Sequence, residues 1–257
     1  MVVFLFSCTS PESRIYKEAL EQEGLGHFRI AISEFDKVVR RSPRSSWGIR
    51  SAKEAARLSF YETKNYKKAA EFNKAVILNS KDAPDRFFAQ KQIASIYFDN
   101  LQNYKKAIEE YIKLLQLVKT PTEEAQYRTN IARSYFYLND FSQADIEIKE
   151  VLKLKIDSAL RFAAYVLNGN ILVAQKDFGK AADFYKKVIA EYPEKSLQEN
   201  IQLSLAVCYE ENNDYSNSIL TLETLRGKYN PPEYIDFRIK RLKERQKNQP
   251  GAKGIRK

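Results

Sequence analysis

Three kinds of side chain in this sequence have the chemistry for covalent or proton-transfer work: one histidine, two cysteines and three pairs of neighbouring glutamates. His27 lies in "LGHF", a glycine-containing turn, and is the single His of 257 residues. A nucleophile–base relay or a zinc site needs several such groups converging, which one His in a surface turn does not supply. Cys8 and Cys208 are too far apart in sequence to read as a disulfide framework or a ligand pair. Cys208, inside "LSLAVCYEE", reads as a small buried hydrophobe. Glu109-Glu110, Glu123-Glu124 and Glu210-Glu211 are adjacent on helical stretches, so their carboxylates diverge and read as solvated faces. No glycine-rich phosphate loop is present. These residues predict no enzyme, no metal and no cofactor.

What the sequence does contain is a repeated phrase. Phe28, Tyr66, Tyr104, Phe141, Phe178 and Tyr215 follow one another at spacings of 38, 38, 37, 37 and 37. Three residues after each stands Ala31, Ala69, Ala107, Ala144, Ala181 or Ser218, and ten after each Val38, Val76, Leu114, Val151, Val188 or Leu225. The position seven after holds Phe35, Tyr111, Ile148, Tyr185 and Leu222, and Asn73 departs from it. Spacings of three, seven and ten keep one face of an α-helix apolar. Asn65, Asn103, Asp140, Asp177 and Asp214 precede the aromatics as N-caps, with His27 in the same place in the first phrase. A second helix precedes each phrase, marked by Ala132 and Tyr135, Gly169 and Leu172, and Ala206 and Tyr209, the first member nine residues before the aromatic. Ala94 and Tyr97 form the same pair with one residue more before Tyr104. The 15 Phe and 16 Tyr are mostly absorbed by these slots, so no aromatic cofactor box is implied. Six helix pairs in tandem predict an all-α fold, an α-solenoid.

"GNILVAQKDFGKAADFYKKVIAEYP" (169–193) resembles a tetratricopeptide repeat, with Gly169, Phe178, Ala181, Tyr185 and Pro193 in its pattern and Leu172 where an aromatic is usual. The resemblance implies a right-handed solenoid of six such pairs, at about 12–43, 46–80, 84–119, 122–155, 157–193 and 195–230. The long period and "VIAEYPEKS" are similar to repeats of envelope lipoproteins of Gram-negative bacteria, such as outer-membrane assembly lipoproteins, pilus secretin pilotins and the periplasmic partner of the Tol-Pal system. It implies a non-enzymatic scaffold whose concave groove, lined by the first helix of each pair, takes a protein or peptide segment. The groove slots it implies are Phe88, Lys91, Ser95 and Phe98, then Gln126, Thr129, Arg133 and Phe136. Further along they are Val166, Asn170 and Val173, then Leu203, Val207 and Glu210.

The two ends differ from the repeats. At the start (1–11), "LFSC" resembles the box that ends a bacterial lipoprotein signal, which makes Cys8 the lipidated residue and "TSPES" a tether. The resemblance further implies that Thr9, not Asp, after Cys8 permits sorting to the outer membrane, so the expected location is its periplasmic face. A cytoplasmic adaptor docking a signalling or motility protein is the alternative. The apolar run is shorter than a full signal, and an upstream start is expected. At the other end Pro231-Pro232 breaks the chain, and Ile235, Ile239 and Leu242 mark one face of a capping helix over 231–247. Residues 248–257 are expected to be a disordered basic tail. From residue 231 on, nine Lys/Arg stand against three Asp/Glu, so this end carries +6 of the net charge of +10. It lacks the interleaved aromatics of a nucleic-acid binder, and an acidic partner or an anionic lipid surface suits it better.

Overall fold

The computed structural model describes residues 10–248; Cys8 and residues 249–257 lie outside the described residues. The chain is all-α, and no strand occurs among the described residues. It forms two compact units, one ending at Leu138 and the other beginning at Asn139.

The first unit holds α1 (Pro11–Gly24), α2 (Phe28–Arg41), α3 (Ser46–Tyr61), α4 (Tyr66–Asn79) and α5 (Ala83–Ser95). A π-helical turn (Ile96–Asn100), α6 (Tyr104–Leu115) and α7 (Pro121–Tyr137) complete it. The second holds α8 (Phe141–Lys153), α9 (Ser158–Ala174), α10 (Phe178–Glu191), α11 (Pro193–Gln198), α12 (Ile201–Glu211), α13 (Tyr215–Glu223) and α14 (Pro232–Lys247). Within each unit, helices that follow one another across short turns pack together. Sequential packing with short connections is what tandem helix pairs require.

The repeated phrase maps onto α2, α4, α6, α8, α10 and α13, each of which starts at its aromatic. In five of them the preceding Asn or Asp side chain accepts a backbone N–H at 3.1–3.3 Å. That bond satisfies one of the donors a helix start leaves unpaired. His27 does not cap this way; its Nδ1 lies 2.9 Å from Gln22 Oε1. The residue before each cap is left-handed: Gly26, Lys64, Gln102, Asn139, Lys176 and Asn213 have φ between 49° and 76°. A single left-handed residue turns the chain back sharply, closing the first helix and opening the second.

Burial follows the slots. The small residues Ala31, Ala69, Ala107, Ala144, Ala181 and Ser218 are all fully buried, and within each unit a small side chain at this slot lets the paired helices approach closely. Ser218 keeps its hydroxyl satisfied by donating to Ala206 O at 2.8 Å. Where the residue seven after the aromatic is bulky, it joins the first helix of its pair to the next element of the same unit. Phe35 shows this between α1 and α3, and Leu222 against α14. Tyr185 reaches Gly169, where an added Cβ would lie 2.3 Å from Tyr185 Cε1.

Two local departures change the helix pattern. The extra residue between Ala94 and Tyr104 is taken up by the π-helical turn, closed by Leu101 N–H to Ile96 O at 2.9 Å. A wider turn of this kind absorbs one residue without breaking the helix. In the sixth pair the first helix is divided, because Asn200 is left-handed (φ 56°) between α11 and α12. The chain's end is closed by α14, whose Ile235, Ile239 and Leu242 are buried against Leu222 and Leu225.

Candidate partner-binding faces

In the first unit, α3, α4 and α5 enclose a cleft of about 380 Å³. Its walls are Ala56 and Phe60 of α3, Val76 of α4 and Ala89 of α5, and Asn73 also lines it. Two large aromatics stand exposed at its mouth, Tyr61 at 65% and Phe88 at 62%. Lys53 Nζ spans the mouth to Asp85 Oδ1 at 2.5 Å, linking α3 to α5. Arg57 is held by Glu54 at 2.8 Å and by Glu23. Exposed pairs of this kind add little stability, and here they fix where the charges sit around the opening. An apolar cleft with a few placed polar groups is the usual form of a binding site.

The structure brings Phe88 to this cleft and places the other slots separately. Lys91 is exposed, its Nζ 5.8 Å from the Phe87 ring centre. Ser95 is half-buried, its hydroxyl donating to Asp99 Oδ2 at 2.7 Å. Phe98 requires correction: it is buried at 6%, with ring centres of Tyr104, Tyr111 and Tyr137 at 5.8–6.3 Å. The cause is the π-helical turn, which rotates residues after Ile96 relative to a continuous α-helix and carries Phe98 inward. Arg133 covers it from outside, its guanidinium 5.0 Å from the ring centre. On the same helix, Gln126 is exposed and Thr129 half-buried, and Phe136 packs edgewise on Tyr137 at 6.0 Å.

In the second unit Val166 and Val173 are half-buried against the core that contains Tyr185. Asn170 is exposed, and its Oδ1 accepts from Tyr185 Oη at 2.9 Å. Leu203 packs on the core under α14, and Val207 is half-buried. Glu210 is a second correction, since it is not open to a partner. Arg238 binds it at 2.6 Å and Arg245 binds its other oxygen, so the end helix occupies that slot.

The groups with reactive chemistry lie apart. His27 is exposed at its turn. Cys208 is fully buried, and loss of solvation pushes its thiol up to about 11, so it stays protonated at neutral pH. Among the described residues no three His, Cys, Asp or Glu side chains converge as a metal site. No helix among them is long and apolar enough to cross a membrane. Sequence reasoning missed Tyr61, Lys53 and Arg57, because the implied slots begin only at Phe88. The signal that marked the cleft was Asn73, the one polar residue at its repeat position.

Comparison with known proteins agrees with this helix-pair geometry. Two tetratricopeptide-repeat family models match, over residues 172–238 and 129–196. No curated protein matches the sequence. Among solved structures, the C-terminal part of a repeat protein from Cytophaga hutchinsonii is similar at a TM-score of 0.61 and 18% identity, covering 89% of this chain and 88% of that one. A tetratricopeptide repeat protein from Parabacteroides merdae is similar at 0.56 and 12% identity, over 92% and 88% of the two chains. PilW, described as a type IV pilus biogenesis factor, is similar at 0.55 and 14% identity, over 90% and 100%. At these identities the likeness is one of fold. The two matched segments together span residues 129–238, and helix pairs run through both units of the described chain.

Proposed function

We propose that this tetratricopeptide-repeat chain is a non-enzymatic scaffold that receives a segment of a partner protein on the first helices of its pairs. The observation that carries the reading is the α3–α5 cleft, apolar inside and flanked by the exposed rings of Tyr61 and Phe88. Exposed aromatics around a pocket are the usual makings of a binding hot spot. The cations Lys91 and Arg133 on neighbouring first helices favour a partner segment that carries carboxylates. Capture by the purified chain, with crosslinking, should be lost in the double variant Phe88→Ala, Arg133→Glu while circular dichroism is unchanged. Equal capture by the variant would remove these faces as the site.

The reading includes an anchor. Cys8 in "LFSC" is lipidated, "TSPES" tethers the first helix, and the scaffold works at the periplasmic face of the outer membrane. Labelling with a radioactive fatty acid should mark the wild type and not Cys8→Ala. Equal labelling, or none in either, would leave a scaffold without this anchor and favour a cytoplasmic adaptor.

A further inference from the structure

Five of the six second helices fill the position seven after their first aromatic with a bulky side chain. Phe35, Ile148, Tyr185 and Leu222 are fully buried there, and Tyr111 is buried at 4%. Within their own units Phe35, Tyr111, Tyr185 and Leu222 each pack in the core that joins successive first helices or the end helix. Phe35 packs with Tyr16 and Ala19 of α1 and with Ala55, Ala56 and Leu58 of α3, and Tyr111 stands 6.1 Å from Tyr127 of α7. In α4 the position is Asn73, which is too short to do this. Its side chain turns back on its own helix, Nδ2 donating to Ala69 O at 2.9 Å. The α3–α5 cleft is the space that results, with Asn73 on its wall, 8% exposed. The bond to Ala69 orients the amide, and its acceptor, Oδ1, makes no hydrogen bond among the described residues.

We propose that the missing side chain is supplied in trans, as a tyrosine of the partner segment inserted between α3 and α5. This deepens the scaffold reading and rests on it. The occupant is read from the chain itself: three of the five equivalent positions hold an aromatic ring, and two of those rings, Tyr111 and Tyr185, are tyrosines, whose hydroxyl alone could use Asn73 Oδ1. A tyrosine ring entering from the mouth meets Ala56, Val76 and Ala89 on its faces. Its hydroxyl donates to Asn73 Oδ1 on the cleft wall, a hydrogen bond that an aliphatic or phenylalanine side chain could not make while its ring or chain displaced the water there. Phe88 and Tyr61 then flank the partner's backbone at the rim.

The test is a titration of the full chain with N-acetyl-tyrosinamide, followed by NMR of the methyl groups of Ala56, Val76 and Ala89. We expect saturable shifts of those methyls, several-fold weaker binding of N-acetyl-phenylalaninamide, and none with N-acetyl-alaninamide. Asn73→Leu, which fills the space from within as Leu222 does in its own pair, should abolish the shifts. Phe88→Ser, at an exposed position that leaves packing intact, should weaken binding and guards against a folding defect in the first variant. Absence of tyrosine-dependent shifts in the wild type, or shifts retained in a folded Asn73→Leu, would overturn the proposal. Partner capture that persists alongside a negative titration would sink this inference alone and leave the scaffold standing.

Discussion

Tyr185 lies over a glycine because nothing larger fits. Its ring crosses Gly169 so closely that a methyl group there would sit 2.3 Å from Cε1, and its hydroxyl is fixed by Asn170. The phenol is buried, and desolvation raises its pKa well above the ordinary value, so it packs as a neutral group. Gly169→Ala should therefore destabilise the protein by about 1–3 kcal/mol through overpacking, despite the better helix propensity of alanine. Urea denaturation checks this, with the midpoint expected to fall at unchanged slope. The contrast is Asn73, where the chain leaves a comparable space unfilled. Residue identity at this one repeat position separates a closed interface from an open cleft.

At the scale of helices, the connections do much of the specification. Each pair turns through one left-handed residue and then a capping side chain, and at Lys64, Gln102 and Lys176 the left-handed residue is neither Gly nor Asn. A side chain with a Cβ is strained there by about 1–2 kcal/mol, part of which glycine gives back through its freedom in the unfolded chain. Lys176→Gly should raise stability by up to about 1 kcal/mol, read as a higher thermal midpoint. Lys176 makes no ion pair among the described residues, so the change removes no contact of that kind.

The helix pairs were legible in the sequence because capping, helical spacing and the small slot all agree within each phrase. The register after Ala94 was not. One extra residue gives no sign of whether a longer turn or a π-helical turn will absorb it, and only the latter takes Phe98 inside. The break at Asn200 was also hidden, since "SLQENIQLSLAV" keeps its apolar residues through the bend. The fate of Glu210 depended on two arginines 28 and 35 residues away. Local periodicity carries no information about such a pairing.

For the molecule as a whole, charge and exposed surface are where the scaffold reading is tested. The net charge of +10 is concentrated toward the C-terminus, and part of it is spent within the fold by Arg238 and Arg245 on Glu210. The reactive groups are isolated, whereas the exposed rings of Tyr61 and Phe88 gather at one cleft. A photo-reactive benzoyl-phenylalanine placed at Phe88 in the native host is the most direct measurement of the scaffold account, with the same residue at Ile112, exposed on the second helix α6, as control. The account predicts a discrete adduct of one partner protein from position 88 and none from position 112. No adduct from position 88, or the same adducts from both positions, would contradict it.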